Sequence, residues 1–163
     1  MTTAEIAVAF AGFGGLAALL GRRRTRDDVR IDVMRLRAIL EGSLVVGGSA
    51  ILPVILLALD VGEEATWRIS SGVYLTLSLI LVSLWTMRIR RATRAGAMLD
   101  RRITGMFYVI AAVLLVILTI NLFNLSASRL FPLYLASLYT LLFGMAVLFL
   151  RLVASLVASA DHD

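Results

Sequence analysis

Four stretches of about twenty residues with almost no internal charge constrain this chain more than any other feature. They cover residues 41–60, 69–87, 103–123 and 130–150, and each is bounded by charged or turn-forming residues. A helix crossing the hydrocarbon core of a bilayer needs about 20 mostly apolar residues. It can do so because a helix satisfies its own backbone donors and acceptors where water is absent. A fifth stretch, 4–20 (AEIAVAFAGFGGLAALL), is 17 residues long and lies near the lower limit for a span. It opens on Thr2-x-x-Glu5, the pattern of a capping box, and closes at Gly21 before Arg22, Arg23 and Arg24. A cleavable signal peptide carries its positive charge ahead of the apolar core. Here the arginines follow it, which argues against a leader. The expectation is one domain over residues 1–163, an all-α polytopic membrane helix bundle with four spans and a short N-terminal fifth.

Composition points the same way. The chain is 60% apolar and 17% charged, with a mean hydropathy of +0.93. A soluble domain is about 45–50% apolar and about 25% charged.

The charges orient the spans. All 16 basic residues are arginine. Residues 22–37 hold seven arginines against three aspartates, and residues 88–102 hold six against Asp100. The intervening segment 60–68 carries Asp60, Glu63, Glu64 and Arg68, and is net acidic. Thirteen of the 16 arginines therefore fall on one side. Positive-inside bias makes that side cytoplasmic, with the C-terminus inside and the N-terminus outside if the first stretch spans. Within 22–37, Arg23–Asp27, Arg24–Asp28 and Asp32–Arg35 have helical spacing, and Val29, Val33 and Leu36 share a side. This segment reads as a short amphipathic helix on the inner membrane face or as a continuation of the second span. Arginines at helix ends, without interleaved aromatics, point to the bilayer and its anionic head groups as partners and not to nucleic acid. Trp67 and Trp85, near the two ends of the third span, read as interface anchors.

Chemistry-bearing residues are sparse. Without cysteine there are no disulfides or thiolate metal sites, and the one histidine, His162, lies in the tail. No two carboxylates share a helix face within a span, so a paired general acid and base is not indicated. Gly12-Phe-Gly14-Gly15 lies in an apolar helix and matches no phosphate-binding loop. No enzyme, metal or cofactor is expected. Asn121 and Asn124 lie near the end of the fourth span, where interhelical hydrogen bonding is the commoner use of such residues. Pro53, inside the second span, is expected to kink it. A faint repeat aligns Tyr74-Leu-Thr-Leu-Ser-Leu with Tyr134-Leu-Ala-Ser-Leu-Tyr, although apolar helices give such matches readily.

The first stretch has a distinct pattern. At about 100° per residue, Ala4, Ala7, Ala11, Gly14, Gly15, Ala18 and Gly21 fall on one broad side. Such a small-residue face permits close helix packing, and Ala7, Ala11, Gly14 and Ala18 are its packing candidates. Another strip runs Glu5, Ala9, Gly12, Leu16, Leu19, Arg23. It sets a carboxylate at one end, small and apolar residues between, and a guanidinium at the other. Repeated around an axis, it would give charged rings and an apolar neck, the ordinary elements of selectivity and gating. That layering is similar to the acid–apolar–basic order along the pore helix of the Orai calcium channels, by analogy only, since this helix runs the opposite way.

The whole chain resembles a set of small uncharacterised bacterial inner-membrane proteins. The likeness rests on the opening Phe-x-Gly-Phe-x-Gly at Phe10, on Asp32-x-x-Arg35-Leu36, on Trp67-Arg68 before a span, and on a final aliphatic span ending near Phe149-Leu-Arg151. It implies a bacterial inner-membrane location and no particular activity. Three functions follow as expectations. The first is a homo-oligomeric ion channel lined by the N-terminal helix. The others are an accessory protein docking a partner through its arginine-rich loops, and a small transporter.

Overall fold

The computed structural model describes residues 26–94, 101–123 and 130–160, together with Glu5 and Gly12. Among the described residues there are four long helices and no strand. They are α1 (Arg26–Ala58), α2 (Glu63–Arg94), α3 (Arg101–Phe123) and α4 (Leu130–Ala160). Each contains a segment long and apolar enough to cross a membrane: Val33–Ala58, Glu63–Arg94, Thr104–Phe123 and Leu130–Ala154. The protein is a multi-pass membrane helix bundle.

Three helices run past the bounds set by apolar composition, because helical hydrogen bonding does not stop where charge begins. α1 starts well before residue 41 and makes residues 26–40 continuous with the span, so the separate surface helix is not formed within the described residues. α2 extends from Glu63 to Arg94 around the expected 69–87, and α4 continues beyond residue 150. At 33 residues and about 1.5 Å per residue, α1 is about 50 Å long. That exceeds a hydrocarbon core of about 30 Å. The surplus carries arginines, one of which, Arg37, forms an i,i+4 pair with Glu41 at 2.8 Å; in α2, Arg68 pairs in the same way with Glu64 at 2.6 Å.

The turn between α1 and α2 explains how they reverse direction. Asp60 has φ 58°, a left-handed conformation. The Val61 amide donates to the Leu56 carbonyl and the Asp60 amide to the Leu57 carbonyl, both at 3.1 Å. These are the paired bonds of a Schellman motif with Asp60 in the place usually held by glycine. Three residues after Asp60, α2 begins with Glu63 and Glu64, whose charge suits the positive end of a helix dipole.

Successive helices alternate in direction and close a ring, α1 beside α2, α2 beside α3, α3 beside α4 and α4 beside α1, with α2 and α4 also meeting across the middle. One end of the bundle gathers the ends rich in arginine and is called the arginine end below. The other, near Asp60, Glu63 and Glu64, is the acidic end.

The bundle differs from a soluble protein in exposing large apolar side chains while burying several polar ones. Leu44, Leu59, Phe123 and Leu150 are among the exposed large apolar side chains, whereas Ser49, Thr66, Ser70, Ser71, Asn121 and Ser137 are buried. In lipid, an apolar side chain gains nothing by turning inward, while a polar one gains a partner. The apolar core consists of Val46, Tyr74, Leu114, Leu118, Tyr134, Leu138, Leu142 and Met145. A smaller cluster of Ile39 and Leu152 joins α1 to α4 nearer the arginine end. Close approach is set by two glycines. A Cβ on Gly42 would lie 2.7 Å from Met145 Sδ, and one on Gly144 would lie 3.2 Å from Ile110 Cγ2.

Candidate functional site

The polar interior begins with a backbone defect. Pro53 lies inside α1 and has no N–H, so the Ser49 carbonyl four residues earlier loses its helical donor. The Tyr134 hydroxyl of α4 donates to that carbonyl. Tyr134 is held in place by its ring neighbours. It lies 5.7 Å from Trp67 and 6.0 Å from Tyr74 between centroids, the latter edge-on at 69°. Such tilted arrangements suit the ring quadrupoles. Tyr74 in turn donates its hydroxyl to the Ser137 carbonyl at 3.3 Å. The two tyrosines of the faint sequence repeat are therefore packed together at the centre of the bundle, each capping a carbonyl on another helix.

A second link ties α3 to α2. The Asn121 amide donates to Ser71 Oγ at 2.7 Å, and the Ser71 hydroxyl donates to the Trp67 carbonyl at 2.7 Å. Along α2, Ser70, Tyr74 and Ser78 recur at four-residue intervals and are all buried, making a polar stripe on the face turned to the core. Among the described residues, Ser49 Oγ, Ser70 Oγ, Ser78 Oγ, Trp67 Nε1 and Asn121 Oδ1 are buried without a hydrogen-bond partner.

Towards the arginine end the interior turns apolar. A cavity of about 40 Å³ is lined by residues from all four helices, including Gly42, Trp85, Phe107, Ala111, Gly144 and Met145. Ser78 also lines it. Trp85 is buried here with its ring 5.4 Å from Phe107. It is thus an interior residue and not the interface anchor its position suggested. Trp67 also packs inward, 5.1 Å from Phe131.

Beside this cavity, Glu41 bridges two helices. Its Oε1 accepts from Arg37 Nε at 2.8 Å and its Oε2 from Arg88 Nη1 of α2 at 2.6 Å. Glu41 and Arg88 side chains are 25% and 23% exposed, enough shielding to make the pair stronger than one in open water. Ionisable groups inside membrane segments are rare, and one with a named partner is a functional candidate by default. Among the described residues, no three His, Cys, Asp or Glu side chains gather as a metal site would require.

Of the expected pore strip, Glu5 and Gly12 are among the described residues. Both are helical and exposed, and a Cβ on Gly12 would meet nothing within 4 Å. Ala9, Leu16, Leu19 and Arg23 of that strip lie outside the described residues, as do Ala7, Ala11, Gly14 and Ala18 of the packing face, and Asn124. Glu41 and Arg88 lie in separate parts of the sequence, one at a span end and one in an arginine-rich segment, so nothing local pairs them. The serine–tyrosine stripe of α2 has a signal in its four-residue spacing.

The fold and this site together define a small polytopic helical membrane protein with a polar seam through its interior. Comparison with protein-family models, with curated proteins and with solved structures finds no match.

Proposed function

We propose that the protein is a homo-oligomeric membrane channel that conducts ions, with its pore lined by the N-terminal helix. The observation that carries this reading is the exposure of Glu5 and Gly12. Seven residues apart, the two positions recur on one side of a helix. The bundle's own centre supports the reading from the other side, since Leu114, Leu118, Leu138 and Leu142 fill it and leave the conduit to be built between copies. In this arrangement Glu5, Ala9, Gly12, Leu16, Leu19 and Arg23 line the axis. The N-terminus is outside, the arginine end and C-terminus are cytoplasmic, and the membrane is a bacterial inner membrane. Rings of Leu16 and Leu19 form the apolar neck, where dewetting closes the path.

Planar-bilayer recording from purified protein tests this. Leu16→Ser hydrates the neck and raises basal conductance, while Glu5→Gln changes cation-over-anion preference and leaves assembly intact. A protein that runs as a monomer in detergent, or that passes no current in any variant, overturns the channel reading.

A second reading is favoured by the arginine end. Glu41 takes up Arg37 and Arg88, while Arg90, Arg91, Arg94, Arg101 and Arg151 are exposed around it. An accessory protein would use this face to dock an acidic partner at anionic head groups. Co-purification of a second polypeptide at fixed stoichiometry, lost when Arg91 and Arg94 are changed to glutamine, is the result that favours it.

A further inference from the structure

We propose that the acidic half of the bundle interior is a hydration site, holding ordered water among Ser49, Trp67, Ser70 and Asn121. Three of these residues are sealed from the surface, with Ser49 at 1% and Ser70 and Asn121 at 0% exposure. Yet Ser49 Oγ, Ser70 Oγ, Asn121 Oδ1 and Trp67 Nε1 find no partner among the described residues. Buried polar groups are nearly always hydrogen-bonded, and in a bilayer an orphan has no bulk water to fall back on.

Hydrogen bonds and ring contacts bring the residues that carry these groups to one level of the bundle. Ser70 lies on α2 between Trp67 and Tyr74, three residues from one and four from the other, on the same helix face. Both of those rings contact Tyr134, so Ser70 faces the Tyr134 side chain. The Tyr134 hydroxyl reaches Ser49, which brings the α1 serine to the same place. Asn121 is bonded to Ser71, which sits at the same level of α2 as Ser70, and its carbonyl oxygen belongs to the amide that makes that bond.

The chemistry of the unpaired atoms selects the ligand. Trp67 Nε1 can only donate, Asn121 Oδ1 can only accept, and the two serine hydroxyls can do either. A bare cation leaves the indole N–H unmet, and an anion leaves the amide oxygen unmet. Water answers all four, and a buried water typically makes about three such bonds. Arg68 Nε, also buried and without a partner among the described residues, is a further donor next to Trp67, on the side where Arg68 pairs with Glu64. The site ends where Val46, Leu114 and Leu118 close the core. It lies within one copy and does not rest on a pore between copies.

Water-edited solid-state NMR of the full chain in lipid bilayers tests the proposal. Magnetisation from water should reach the Cβ signals of Ser49, Ser70 and Asn121 at least about three-fold faster than those of Leu114 and Leu118, which are equally buried. In the Ser49→Ala/Ser70→Ala protein, the transfer to the Tyr134 ring should slow by a similar factor while the helical signals stay in place. Transfer to the serines and Asn121 as slow as to the two leucines overturns it, as does an unchanged Tyr134 build-up in the double variant.

Discussion

The Tyr134 hydroxyl donates to the Ser49 carbonyl across 85 residues of sequence, and that carbonyl is the one Pro53 leaves without a helical donor. A proline in a membrane helix is tolerated when a neighbouring helix satisfies the backbone group it frees. Here the neighbour is identified, and the bond that repairs α1 also fixes α4 against it.

Tyr134→Phe therefore removes the donor that the structure gives to this buried carbonyl. Membrane hydrogen bonds average about 0.6 kcal/mol by double-mutant cycle, but an orphaned buried acceptor costs about 1–3 kcal/mol. We expect a loss of about 1–2 kcal/mol in reversible unfolding. Pro53→Ala restores an N–H to Ser49 inside the helix, so Tyr134→Phe should cost markedly less in that background. Additive effects of the two changes would show that they do not share the carbonyl.

The Glu41–Arg88 bridge should matter more than either residue's charge alone. Glu41→Gln leaves Arg37 and Arg88 facing each other without a carboxylate between them. Because the pair is partly exposed, the expected destabilisation is about 1 kcal/mol, below the cost of breaking a fully buried pair. The charge swap Glu41→Arg/Arg88→Glu should recover only part of it, since the guanidinium introduced in place of Glu41 would stand one turn from Arg37. Thermal unfolding in detergent measures both, and a swap as stable as the parent would mean that Arg37 takes no part.

The left-handed Asp60 gives a test of the α1–α2 turn. A β-branched residue is poorly suited to this conformation, where an L side chain costs about 1–2 kcal/mol. Asp60→Gly should be neutral or stabilising by up to about 1 kcal/mol, and Asp60→Val should be less stable than the glycine variant by about 1–2 kcal/mol. Equal melting temperatures for the valine and glycine variants would refute the Schellman assignment.

The proposed orientation can be read with single cysteines, since the chain has none of its own. Glu64 and Thr93 are both exposed and lie near opposite ends of α2. In intact cells a membrane-impermeant thiol reagent should label Glu64→Cys and spare Thr93→Cys. The reverse pattern would place the arginine end outside.

The sequence by itself determined that this protein is a bundle of membrane-spanning helices. Runs such as 103–123 are too long and too apolar for anything else, and that inference needs only the cost of an unpaired peptide group in hydrocarbon. Helix ends were less legible, because apolar composition marks the width of the membrane while α1 and α2 continue through charged residues beyond it. Which faces turn inward was not legible at all from hydrophobicity. With lipid outside and protein inside equally apolar, leucines such as Leu44 and Leu118 are interchangeable in sequence, yet one is 75% exposed and the other fully buried. Only the tertiary structure decided that Tyr134 serves the carbonyl freed by Pro53 and that Glu41 meets Arg88, 47 residues away. Those partners are fixed by how four helices pack around one another, and no local pattern of residues encodes that arrangement.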